Sequence, residues 1–292
     1  MKQRQVADRT RIGGPWADAL LTAAAWALPA AFILVPLLLF LALGFFEVEG
    51  ADIAYRPTLK NYVRFFTDPG FLPTYAATCW LGLKVAAITV LCGYPVAYLL
   101  ASLSGRAKYA VAMFFAVPLL MSYIIKIYAI RSILGSNGFL NRVLLAAGII
   151  DEPWTFLLFN LNAVMLTLAI LLIPFAILPI FLALERIPRN LLEASADLGA
   201  KPWQTFRTVI LPMSLPGVVI GASFTFVLAI GDFVTPQMVG GTQGFTFGRI
   251  VYSQFGFGNN WPFGAALSVI LLLPALLAIV AADRFGRPRY AA

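Results

Sequence analysis

Residues 190–203 read NLLEASADLGAKPW, a charged stretch set between two long apolar runs. Pro188 halts whatever precedes it, and Asn190 is a good N-cap. Glu193, three residues on, is spaced to reach back to the cap's backbone as in a capping box. Its carboxylate also lies in the first turn, where the helix dipole favours negative charge. Gly199 suits the left-handed position past a helix end, and Pro202 keeps that helix from resuming. The expected helix is therefore about two turns, Leu191 to Leu198. Leu191, Ala194, Ser195 and Leu198 share one face, and Glu193 and Asp197, four apart, share another. A helix this short is unstable alone in water, so something must pack against it. A capped turn resting on its own chain accounts for Asn190 and Gly199, and Glu193 fits it as well. It leaves Asp197 and the small residues unexplained, which points to a helix that docks onto a partner.

The surrounding chain has 292 residues, 61% hydrophobic and 12% charged, about half the charged fraction usual in soluble domains. No soluble fold of this length hides so much Leu, Ile, Val and Phe, which leaves a polytopic membrane protein. The net charge is +8, and there is no His. The cations lie in short segments between apolar runs, a positive-inside pattern rather than a nucleic-acid-binding face. Cys79 and Cys92 fall in one expected span and read as small apolar core residues. Without His or clustered Cys, neither a transition-metal site nor a disulfide framework is expected.

Six stretches are long and apolar enough to cross a bilayer as helices: Leu20–Phe46, Tyr75–Ala101, Tyr109–Ile130, Phe156–Leu184, Leu215–Val239 and Pro262–Ala282. Lipid offers no partner to open backbone groups and nothing alternates like a barrel strand, so the architecture is all-α. The first run is too long for a cleavable signal and is expected as a retained span. Of the Lys and Arg in the flanking segments, thirteen lie on one side, with both termini and the Asn190 loop, and six on the other. Both termini and that loop are therefore expected in the cytoplasm. The organisation reads as a tail (1–19), a first span (20–46), an outer segment (47–74), a five-span body (75–282) and a tail (283–292). Leu140, Val143, Leu144 and Ala147 predict a short helix in the outer segment after the third span. Trp154, Trp261 and Tyr75 sit near span ends, where interfacial aromatics usually lie.

EASADLGA (193–200) followed by FRTVILPMSLPGVVIG (206–221) resembles the EAA signature of bacterial ABC-importer permeases, with Ser195 in place of the second Ala. The matching positions are Glu193, Ala194, Gly199, Leu211, Pro212 and Pro216. In that family this helix is the coupling helix that enters a groove on the ATP-binding subunit. LKVAAITVLCGYPVAYLLA (83–101), IIKIYAIRSILGSNGFLN (124–141), GDFVTPQMVGG (231–241) and WPFGAALSVILLL (261–273) are similar to the spermidine/putrescine branch, specifically the first of its two membrane subunits. The resemblance implies a type I ABC-importer transmembrane domain with Glu193, Ala194, Ser195, Asp197, Leu198 and Gly199 facing the ATPase. It also implies a second permease subunit, two ATP-binding subunits and a periplasmic solute-binding protein. ATP and Mg would then be held by the ATPase and no cofactor by this chain. The branch also includes importers of other small organic solutes and of ferric iron.

Asp232 is the one acidic residue deep in an expected span, and a charge there must face protein or water. Gly231, Pro236, Gly240 and Gly241 make that stretch irregular, which membrane depth tolerates only beside a cavity or protein. Two readings stand: Asp232 lines the path and attracts a cationic amine, or it pairs with Lys84 or Lys126. Lys84 in the second span and Lys126 near the outer end of the third are read as structural, because cations repel a polyamine. Lys126 is placed to snorkel outward. Tyr123, Tyr128, Trp80 and Phe224 offer π-faces to a cation. The sequence lacks GxxxxGK[ST], so this chain does not hydrolyse ATP by that loop. Without His, no nucleophile–base pair is apparent. An ion-coupled secondary transporter is the remoter alternative. It would call for an intramembrane ion site and usually internal repeats, and Asp232 alone is a thin basis for it.

Overall fold

The computed structural model describes residues 15–50 and 52–286. The basic tails at either end therefore lie outside the described residues, apart from 15–19 and 283–286. Among the described residues five helices are long and apolar enough to span a bilayer, and a sixth span is broken, bent by 98°. The long helices are α1 (Pro15–Leu43), α3 (Phe71–Ser102), α7 (Leu161–Glu185), the run Pro202–Gly231 and α13 (Trp261–Phe285). The broken span consists of α4 (Gly105–Leu120) followed by α5 (Tyr123–Leu134) and α6 (Phe139–Ala146). The short α6 matches the outer helix expected from Leu140, Val143, Leu144 and Ala147.

The outer segment after α1 departs from an all-helical reading. A two-stranded antiparallel hairpin, β1 (Glu47–Glu49) and β2 (Asp52–Ala54), turns through Gly50 at φ +67°. Three-residue strands carry too little alternation to register as a pattern. The short helix α2 (Lys60–Thr67) fastens this hairpin to the bundle. Asn61, buried, donates to the carbonyls of Gly44 (3.1 Å) and Phe46 (2.6 Å), and Lys60 pairs with Glu47 at 2.7 Å. That bonded neighbour raises the Lys60 pKa above its ordinary value.

The centre of the bundle is the trio α3, α7 and α10 (Leu211–Gly231). Small residues bring α10 onto α7. A Cβ at Gly217 would stand 2.5 Å from the Pro179 carbonyl, and one at Gly221 would stand 3.1 Å from Ala176 Cα. Gly217 and Gly221 form a GxxxG pair, the spacing that lets membrane helices approach backbone to backbone. Buried hydroxyls tie α3 to α10 and to the segment beyond α10. Thr89 donates to Thr225 (3.2 Å), Tyr94 meets Ser214 (2.8 Å), and Thr78 accepts the Phe247 N–H (2.8 Å). Asn160 and Asn260 cap α7 and α13 by accepting the Ala163 and Phe263 amides, at 2.9 and 3.1 Å. Cys79 is half-buried and Cys92 exposed on α3, so only the first approaches the expected core position.

At the foot of α10 the chain runs through α9 (Pro202–Thr205) and a π-helical turn, Phe206–Ile210. Pro202 stands at the start of α9, where its missing N–H costs nothing. Pro212 offers no N–H to the preceding turn and would crowd a carbonyl four residues back, so the wider turn just before it absorbs the mismatch. The fifth span thus begins at Pro202 rather than Leu215 and ends at Gly231 rather than Val239.

Candidate functional site

Two helix breaks meet inside the bundle. The third span stops at Leu120 because Met121 and Ser122 are extended, with ψ of 149° and 129°. The fifth stops at Gly231, where Asp232 leaves the helix with ψ 126° before the short α11 (Val234–Val239). Between the breaks lies a cavity of about 450 Å³ whose walls include Met121, Tyr123, Lys126, Phe175, Asp232 and Phe233.

Asp232 does two tasks there. Its Oδ1 accepts the amides of Val234 (2.9 Å) and Thr235 (3.3 Å), capping α11. Its Oδ2 accepts the Tyr123 hydroxyl at 2.6 Å, a short charge-assisted bond. Tyr123 has one proton and gives it to Asp232, so buried Thr235 donates to Tyr123 at 3.0 Å. Half-buried, the carboxylate retains acceptor capacity on the cavity side.

Asp232 pairs with neither Lys84 nor Lys126; ion pairs form instead at Lys60–Glu47 and Lys108–Glu185. Lys126 does not snorkel outward. Its Nζ donates to the Pro118 carbonyl at 2.9 Å and lies 5.6 Å from the Tyr123 ring centroid. It thereby shares the Pro118 carbonyl with the Met121 N–H (3.3 Å) and complements the negative end of α4. The structure thus brings Tyr123, Lys126 and Asp232 together. It leaves Tyr128, Trp80 and Phe224 outside this cavity, all exposed. Lys84 is half-buried on α3, away from it. Phe175, Phe233 and Thr235 belong to the cavity and its hydrogen-bond network. Phe233 is stacked on Tyr252, with centroids 4.2 Å apart.

At the end of the bundle where α7 finishes, α8 (Arg189–Asp197) lies on its edge, with no residue fully buried. It begins two residues before the expected Leu191, for Pro188 is the N-cap and Asn190 makes no capping bond. Once Pro188 takes the cap position, Asn190 falls inside the first turn and the capping box with Glu193 is not formed. The other end matches the expected glycine stop. Gly199 has φ +76°, its N–H reaches the Ala196 carbonyl (2.9 Å), and the Ala200 N–H reaches that of Ser195 (3.1 Å). The face turned to the bundle is Leu192 and Ser195, whose hydroxyl meets Thr205 at 2.7 Å. Ser195 therefore leaves the face expected to hold it with Leu191, Ala194 and Leu198. Glu193, Ala194, Asp197 and Leu198 face outward, Leu198 88% exposed, and a Cβ on Gly199 would meet nothing within 4 Å.

Residues 89–288 match the family described as the binding-protein-dependent transport system inner membrane component. The spermidine/putrescine transport system permease protein PotB of Haemophilus influenzae is 35% identical over 255 residues, covering 85% of this chain and 87% of that protein. The inner membrane ABC transporter permease protein YdcU of Escherichia coli is 34% identical over 258 residues, 83% of this chain and 81% of that one. Among solved structures, a bacterial alginate ABC transporter chain superposes with a TM-score of 0.71 at 17% identity, covering 93% of this chain and 95% of its own. A chain of the MetNI methionine ABC transporter gives 0.56 at 24% identity, over 76% of this chain and 98% of its own. Two helix breaks around a cavity, an exposed helix at one end and these likenesses agree, and the chain belongs to the family of binding-protein-dependent transport system inner-membrane components.

Proposed function

We propose that this chain is one of two permease subunits of an ATP-driven importer carrying a polyamine, such as spermidine or putrescine, from periplasm to cytoplasm. The second permease completes the pathway, two ATPase subunits bind and hydrolyse ATP with Mg, and a periplasmic binding protein delivers the solute. Both termini and α8 lie in the cytoplasm on this reading. The single observation that carries it is the mechanical path from α8 to the Asp232 cavity. Ser195 is bonded to Thr205 at the foot of the run Pro202–Gly231, 30 residues that end beside Asp232, a rod of about 45 Å. A partner that moves α8 moves this rod, and the Tyr123–Asp232 bond lies where the rod meets the broken third span. ATP-driven closure of the ATPases on α8 thereby opens or closes the cavity to either side. The Asp232 carboxylate and the ring of Phe233 suit an alkylammonium passing through.

The test is uptake of labelled spermidine and putrescine by the full complex in proteoliposomes, with ATP supplied on the ATPase side. Polyamine accumulation that needs both ATP and the binding protein is expected. Transport of another solute with no competition by polyamines would overturn the substrate. Uptake without the ATPase would overturn the importer reading and favour ion coupling. Lys126 in the same cavity supports a second substrate reading, a small organic solute that carries a carboxylate beside its amine.

A further inference from the structure

Lys84 is the cation for which the site has no use. On α3, Leu81 and Val85 enter the cluster built with α5 and α7, and Ala86 enters the one built with α10 and α13. Gly82 lies against Phe226 and Ile230. The remaining side carries Trp80, Leu83, Lys84, Ala87 and Leu91, with Trp80 62% and Leu91 75% exposed. Among the described residues the Lys84 ammonium has no hydrogen-bond acceptor or ion-pair partner.

Its depth makes that position costly. α3 runs from Phe71 to Ser102, about 48 Å against roughly 30 Å of hydrocarbon. With the overhang shared between its ends, Lys84 lies about 10 Å inside the nearer boundary and close to the helix midpoint. Ionisable residues at such depth face protein or water and meet a counter-charge. This chain cannot supply it, nor can a second copy. Of its 13 acidic residues, Asp232 alone falls inside the bundle, and its carboxylate faces the cavity between the helix breaks, whose walls do not include Lys84.

We propose that the Trp80–Leu91 face of α3 is the contact surface for the second permease subunit, and that a mid-span carboxylate on that subunit pairs with Lys84. The inference rests on the two-permease importer reading and adds to it the surface and the charge the partner must bring. It also requires the partner to be a different chain, because a homodimer leaves two lysines buried without a counter-ion.

The experiment uses the co-expressed full complex, purified through a tag on the ATPase. A photo-crosslinking amino acid at Leu91, with Lys84 intact, is expected to give an adduct with the second permease. Lys84→Glu is expected to lower the second permease recovered per copy of this chain by roughly tenfold, since like charges meet at a desolvated contact. Exchanging one mid-span acid of the second permease for Lys should restore recovery in that variant alone. Adducts with lipid only, or full recovery with Lys84→Glu, overturn the inference while leaving the importer reading intact. A wild-type complex without any second permease, or an adduct joining two copies of this chain, overturns both.

Discussion

Replacing Tyr123 by Phe removes one hydroxyl and nothing else from the wall of the cavity. The lost proton is the one given to Asp232 Oδ2 at 2.6 Å, and the lost oxygen is the acceptor of buried Thr235 at 3.0 Å. A hydrogen bond to a charged group contributes about 1.5–3 kcal/mol net, and leaving Thr235 without an acceptor costs about 1–3 kcal/mol. Water from the cavity replaces part of each, which puts the sum at about 2–3 kcal/mol, or roughly 30- to 150-fold in the balance between joined and parted helix breaks. Asp232 keeps its two amide donors, so α11 stays capped and the complex should assemble in normal yield. The assay is uptake and ATP hydrolysis measured together in proteoliposomes. Uptake per ATP should fall toward that factor, with assembly unchanged. Asp232→Asn retains an oxygen for the two amides but loses the charged acceptor, so the two substitutions act on one bond. Their combination should be less damaging than the sum of the singles, by about 1.5 kcal/mol. Strict additivity, or a change below twofold in Tyr123→Phe, would refute the view that this bond joins the two breaks.

Three further outcomes are expected from the geometry. Gly199→Val sets a β-branched residue at φ +76° on a surface that is otherwise open, at about 1–2 kcal/mol for the helix end. ATP hydrolysis should continue while uptake falls, with membrane insertion intact by protease protection. Gly217→Ala drives a Cβ to 2.5 Å from the Pro179 carbonyl, an overpacking cost of about 1–3 kcal/mol. The purified complex should lose thermal stability relative to the wild type. Asn160→Ala removes the cap of α7 and should cost about 1 kcal/mol, seen as a smaller fall in the same melt.

The spans were legible where apolarity alone decides, as in α1, α7 and α13. Hydropathy reports transfer into lipid and is silent on direction, so the bend at Met121–Ser122 stayed hidden in the apolar run Tyr109–Ile130. Pro118, three residues upstream, was its available signal. The end of the fifth span was more readable, because Gly231, Pro236, Gly240 and Gly241 announce irregular backbone. Asp232 stood out as a buried charge, but its partner Tyr123 is 109 residues away, and no local rule pairs them. The exposed face and glycine end of α8 followed from spacing. Its start did not, because Asn190 and Pro188 compete for the cap and the ring, with its fixed φ, prevails. The GxxxG at Gly217 and Gly221 was present in the sequence, and its meaning appeared only once α7 lay against it.

That α7–α10 seam has a mechanical consequence. Helices whose leucines interlock must lift side chains out of sockets before they can slide. Here Gly217 and Gly221 present bare backbone to Ala176 and Pro179, so little side-chain bulk blocks a small axial shift. Thr225, one turn above Gly221, donates to the Gly221 and Ala222 carbonyls of its own helix and only accepts from Thr89. Its proton therefore travels with α10 whichever way the helix moves. A translation of an ångström or so along the seam exchanges few contacts. The seam is a low-friction track, and the direction α10 can travel is fixed by where its glycines lie.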